Sequence, residues 1–209
     1  PARLHHGTTE ARGGYLAFLG RISPEKRPDR AIFIARALGI PLKIAAKVDR
    51  ADAAYFATEI EPLLKGGGVE FIGEISDHQK TQFLGDALAL LFPIDWPEPF
   101  GLSMIEAMAC GTPVLAFRCG AVPEIVEDGI TGAIVETMED AIAALPYVIA
   151  LDRKNVRQRF EQRFSATRMA KDYVAIYRSL LATSAGRELE EIELSPNGQD
   201  LNLLRPLVA

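Results

Sequence analysis

Leu88-Ala89-Leu90-Leu91-Phe92-Pro93-Ile94-Asp95-Trp96-Pro97-Glu98-Pro99-Phe100-Gly101-Leu102-Ser103-Met104-Ile105-Glu106-Ala107-Met108-Ala109-Cys110-Gly111-Thr112-Pro113-Val114 decides the fold. Residues 88–92 read as an apolar strand. Pro97 and Pro99 bar helical and ladder hydrogen bonds at their positions, so a rigid turn follows. From Leu102 the residues become helix formers. Gly111 suits the position just past a helix end, and Pro113 cannot continue it. The stretch is strand, stiff loop, short helix, turn, next strand.

That unit has a chemical consequence. Its loop lies at the C-terminal end of a strand, where open α/β sheets bind ligands. The amides of Phe100, Gly101, Leu102 and Ser103 fall at or near the helix start and lack intrahelical acceptors. Gly101 lets the backbone approach a ligand, and a helix N-terminus favours an anion such as phosphate. Glu98 lies in the loop and Glu106 about one turn into the helix. Carboxylates repel phosphate, so these two address hydroxyls, for which sugar or ribose is the natural donor.

Outward from this stretch, residues 15–19, 41–46, 69–73, 114–117 and 133–135 read as further strands, with helical segments between them. The expected fold is α/β, a Rossmann-like doubly wound parallel sheet with right-handed crossovers. Residues 1–13 read as a linker, 14–182 as the domain and 183–209 as a tail. Ser23 and Pro24 open a helix running to Gly39, with an irregular first turn at Pro28. Gly66-Gly67-Gly68 precedes a strand, at the wrong edge of the sheet for a phosphate loop. Pro146 is expected to break the helical region that begins at Met138.

Composition bounds the function. A 48% apolar content supports a core, and no run approaches the roughly 20 apolar residues of a membrane span. The net charge of −5 argues against nonspecific nucleic-acid binding. No secretory signal stands at the N-terminus, and Cys110 and Cys119 fit a reducing, cytoplasmic compartment. The lack of an initiator methionine points to a piece of a longer or processed chain. No metal site is expected, because the histidines and cysteines lack ligand spacing; His5 and His6 read as a surface pair. No Gly-x-Gly-x-x-Gly follows the first strand, which disfavours a dinucleotide oxidoreductase.

Glu98 to Glu106, with Phe100-Gly101-Leu102 and Glu106-Ala107-Met108-Ala109-Cys110-Gly111-Thr112-Pro113-Val114, resembles the Glu-x7-Glu motif of the retaining family 4 glycosyltransferases, two-domain enzymes of GT-B fold. The resemblance implies a donor-binding C-terminal half-domain, with a nucleotide diphosphate sugar, UDP-hexose by family frequency, as substrate and no cofactor. The partner it implies is an N-terminal acceptor domain, absent here, without which little transfer is expected. Glu98 is then the catalytic candidate, holding the transferred sugar with the amides of Phe100 and Gly101, while Glu106 takes the ribose hydroxyls. Pro99, Leu102 and Ser103 complete that wall. By position alone, Arg21 and Lys26 are either solvated cations or a diphosphate clamp. Gly20-Arg21-Ile22-Ser23-Pro24-Glu25-Lys26 looks like the family's first donor-phosphate loop, which favours the clamp. Where the family has glycines after its second strand, this chain has Ala45-Ala46-Lys47, and Lys47 is a candidate further contact. Phe71, Ile72 and Gly73 resemble the segment beside the base; for Phe71 ordinary core packing is the competing reading. A stand-alone nucleotide-sugar-binding module and half of a GT-B epimerase are the alternatives. The filled Glu-x7-Glu string favours transfer over epimerisation.

Overall fold

The structure, a computed structural model, describes residues 13–193, with side-chain surroundings through residue 182. Most of the linker, with His5 and His6, and the turn read at Ser195 to Gly198 lie outside the described residues. The described chain divides after Phe164 into an α/β unit and a separate helical one.

The α/β unit is a six-stranded parallel sheet of order β3-β2-β1-β4-β5-β6. Its strands are β1 (Leu16–Arg21), β2 (Leu42–Lys47), β3 (Val69–Gly73), β4 (Ala89–Phe92), β5 (Val114–Phe117) and β6 (Gly132–Val135). The helices are α1 (Pro28–Ala37), α2 (Ala53–Tyr55) and α3 (Glu61–Leu64) joined by a π turn (Phe56–Ile60), α4 (Asp77–Asp86), α5 (Leu102–Ala109), α6 (Val122–Ile125), α7 (Met138–Ile149) and α8 (Arg153–Arg163). The second unit is α9 (Ala166–Glu193).

Both faces of the sheet are covered, which explains the near-continuous apolar strands. Because side chains alternate along a strand, the core splits in two. Ala17, Ala45, Leu90 and Ala116 pack on one face with Leu84, Met104, Met108 and Val156. Leu16, Phe18, Ile44, Leu91 and Phe117 pack on the other with Ile32, Ile34, Leu145 and Val148. The doubly wound reading therefore holds. The order runs outward from β1 to β3 on one side, then restarts at β4 on the other, so the topological switch lies between β1 and β4.

Two expectations are corrected. The helix read from Ser23 to Gly39 is split: Pro24–Lys26 forms a 3-10 turn, Arg27 adopts φ 51°, and α1 starts at Pro28. The proline ring disfavours the right-handed helical region at the residue before it. Pro146, by contrast, does not break α7, which runs through it to Ile149. Burial of Ala141, Leu145 and Val148 along one face holds the helix across the missing amide. Thr137 starts α7 in a reciprocal capping arrangement, its hydroxyl accepting from the Asp140 amide at 3.1 Å.

Candidate active site

A cleft of about 680 Å³ opens at the C-terminal ends of the strands around the switch. Gly20 and Arg21 line it from the end of β1, Lys26 from the turn after it, Lys47 from the end of β2, and Glu98, Pro99, Phe100, Gly101, Leu102, Ser103 and Glu106 from the loop and first turns of α5. These are eleven of the fourteen residues expected from sequence.

Phe71, Ile72 and Gly73 do not line the cleft. The Phe71 ring packs 5.2 Å from the Phe56 ring, which is the core-packing reading. Ile72 packs in the core on the opposite face of the sheet. The β2–β3 register slips between Ile44 and Ala45, and Gly73 turns the chain with φ 75°, so Glu74 and Ile75 reach the cleft instead.

The start of α5 is uncapped. Gly101 occupies the N-cap position at φ 76°, and no side chain caps the helix. The positive φ calls for glycine; a β-carbon there would meet only the movable end of the Met104 side chain, at 2.3 Å from Cε. The Met104 amide bonds back to the Gly101 carbonyl at 3.1 Å. The amides of Phe100 to Ser103 have no acceptor among the described residues. Phe100 and Leu102 are exposed at the rim.

Cations and carboxylates in the cleft are paired. Arg21 and Lys47 face each other in register at the ends of β1 and β2. Their repulsion is offset by Asp49, 3.6 Å from Arg21 and 2.8 Å from Lys47. The hydrogen bond with Lys47 holds the Asp49 carboxyl below its ordinary range, and the same bond raises Lys47. Arg21 also meets Glu25 at 3.4 Å. The Lys26 ammonium donates to Glu98 Oε2, which also accepts from Trp96 Nε1 at 3.0 Å.

Lys80, on the first turns of α4, was missed from sequence. It donates to Glu106 Oε1 at 3.2 Å and to Asp77 Oδ1 at 3.0 Å. Its signal was its place: a cation just after the C-terminal end of a strand, as with Arg21 and Lys26. The lining cations Arg21, Lys26, Lys47 and Lys80 thus stand against Glu74, Asp77, Glu98 and Glu106. Such a cleft offers cations and free amides to an anion, and carboxylate oxygens to hydroxyls.

The Glu98 loop is held from behind. The Ala121 amide donates to the Glu98 carbonyl at 2.8 Å. This approach needs Gly120, at φ 55°, because a β-carbon there would lie 2.3 Å from both the nitrogen and the oxygen of Glu98. Among the described residues, no group of three or more His, Cys, Asp or Glu side chains is arranged to hold a metal ion. None of the described helices is long and apolar enough to cross a membrane.

The profile of the family described as "Glycosyl transferases group 1" matches residues 8–164. D-inositol 3-phosphate glycosyltransferase of Saccharomonospora viridis is 31% identical over 194 residues, which is 84% of this chain and 45% of that protein. Among solved structures, AviGT4, a glycosyltransferase involved in avilamycin A biosynthesis, superposes with a TM-score of 0.70 at 28% identity, covering 82% of this chain and 53% of that one. Anabaena Alr3699/HepE in complex with UDP shares the fold with a TM-score of 0.67 at 21% identity, over 80% of this chain and 49% of that one. The chain therefore spans about half the length of these relatives.

Proposed function

The chain belongs to the glycosyl transferases group 1 family, and from that premise we propose that it is the donor-binding half of a retaining glycosyltransferase, taking a nucleotide diphosphate sugar into the cleft between β1 and β4. Arg21, Lys26, Lys47 and the free amides at the start of α5 receive the diphosphate. Glu106 accepts from the ribose hydroxyls. Glu98 and the amides of Phe100 and Gly101 hold the transferred sugar. In the reaction, the bond from the anomeric carbon to the diphosphate oxygen breaks and its electron pair leaves with the diphosphate. The growing negative charge meets cations and the helix start, with no need of a divalent metal. The acceptor hydroxyl oxygen bonds to the same face and gives its proton to the departing diphosphate oxygen, and configuration is retained. The acceptor and the rest of the machinery belong to an N-terminal half, so this chain alone binds donor and transfers little.

One observation carries the reading. Glu98 and Glu106 open into one cleft together with the β1 loop and the uncapped start of α5. Hydroxyl acceptors thus stand beside an anion site.

Calorimetric titration with UDP, UDP-glucose and GDP-mannose, chelator present, tests it. UDP comes first because the Anabaena structure of this fold holds it. Metal-free binding that weakens by about 1–3 kcal/mol in Glu106→Ala supports the ribose assignment. Tight binding indifferent to Glu106→Ala removes it.

A further inference from the structure

Trp96 is the single tryptophan of the chain, and the reaction as derived gives it no role. Its indole Nε1 donates to Glu98 Oε2 at 3.0 Å. The Lys26 ammonium donates to the same oxygen and lies 5.1 Å from the Trp96 ring centroid. The Phe92 ring stands 5.9 Å from that ammonium on another side. The backbone is pinned as well, the Glu98 amide bonding to the Trp96 carbonyl at 2.8 Å across Pro97. Glu98 Oε1, in contrast, accepts from no donor among the described residues.

We propose that Trp96 is a positioning residue that commits Glu98 Oε2 to the protein and leaves Oε1 to a single hydroxyl of the donor sugar. The inference rests on the donor reading above. An indole N–H donates and cannot accept, so it satisfies Oε2 without competing for the sugar hydroxyl that Oε1 accepts. Its ring face holds the Lys26 ammonium beside the same oxygen. A glutamate side chain free to rotate loses rotamer entropy when it takes a ligand; one already fixed by two donors loses little. The site therefore selects donors whose sugar carries a hydroxyl facing Oε1. The nucleotide alone makes no use of this arrangement.

Trp96→Phe in the full chain keeps an aromatic ring and removes the N–H. The expected result is UDP affinity unchanged within about twofold and UDP-glucose affinity lowered about tenfold. In a Glu98→Ala background, Trp96→Phe adds no further loss, because the two act as one unit. Equal loss for UDP and UDP-glucose, or losses that simply add, overturns the proposal. A ligand-free measurement stands beside it. Trp96 emission should shift in Glu98→Ala, which removes the acceptor of the indole N–H. If the natural chain binds neither nucleotide, the donor reading falls. The emission comparison still decides whether Trp96 is bonded to Glu98, and an unchanged spectrum overturns the positioning itself.

Discussion

The Lys80 ammonium sits 3.2 Å from Glu106 Oε1, so the glutamate proposed for ribose is oriented by a cation from a different helix. Burial by itself would lower the Lys80 pKa; the Asp77 hydrogen bond and the Glu106 charge outweigh it and the net shift is upward. A raised lysine stabilises the fold below the ordinary lysine pKa, and that contribution fades as pH rises through the higher folded value. Lys80→Met should weaken UDP binding by about 1–2 kcal/mol by freeing Glu106. Fold stability should change by less than about 1 kcal/mol, since the pair is partly solvated. Calorimetry and urea unfolding read the two effects separately. Unaltered UDP affinity would show that Glu106 needs no orienting partner.

Gly120→Ala places a β-carbon against the Glu98 backbone at a residue with φ 55°. The strain should cost about 1–3 kcal/mol of stability. UDP-glucose binding should suffer more than UDP binding, because the displaced loop carries Glu98. Urea unfolding and paired titrations check this; native-like behaviour in both would mean that the loop relaxes freely.

Arg153→Met probes the interior. Buried Arg153 donates to the carbonyls of Ala87 and Gly85 and to Thr112 Oγ1, each at 2.7 Å. The Thr112 hydroxyl in turn donates to the Leu84 carbonyl at 2.6 Å. One guanidinium thereby ties the start of α8 to the end of α4 and the turn after α5, and burial lowers its pKa. Loss of these charge-assisted bonds should remove about 2–4 kcal/mol, read from the urea midpoint. A change under about 0.5 kcal/mol would show the network to be energetically idle.

Cys110 gives an alkaline signature. Burial raises its thiol from 9.0 to about 11. In that window the unfolded chain releases a proton that the folded chain keeps, so stability falls as pH rises from about 9 to about 11. The loss is on the order of 2 kcal/mol, and Cys110→Ala should flatten this part of the curve. Urea midpoints along a pH series decide it; an equal fall in both proteins would assign the alkaline loss to other groups, such as Tyr15, which burial raises to about 12.

The strand–loop–helix unit around Glu98 and Glu106 was legible because it is written in local chemistry. Prolines forbid bonds at their own positions, Gly101 permits a positive φ, and apolar runs of strand length mark a sheet buried on both faces. Pro146 was misread because a local rule was applied where burial of Leu145 and Val148 prevailed. Phe71 to Gly73 missed the cleft because a one-residue slip in the β2–β3 pairing re-aims the chain end, and such a slip has no trace in the sequence.

By itself the sequence determined the alternation of strands and helices, the parallel doubly wound sheet, and the residue types gathered at its C-terminal edge, because each follows from periodicity and backbone restrictions within a few residues. Only the tertiary structure decided the partners. Lys26 reaches Glu98 because β1 and β4 are neighbours in the sheet. Lys80 reaches Glu106 because α4 and α5 pack on the same face. Gly120 and Ala121 hold the Glu98 loop from the turn after β5. Each pairing joins residues distant in the chain, and its geometry depends on strand order and helix packing, which side-chain type alone does not specify.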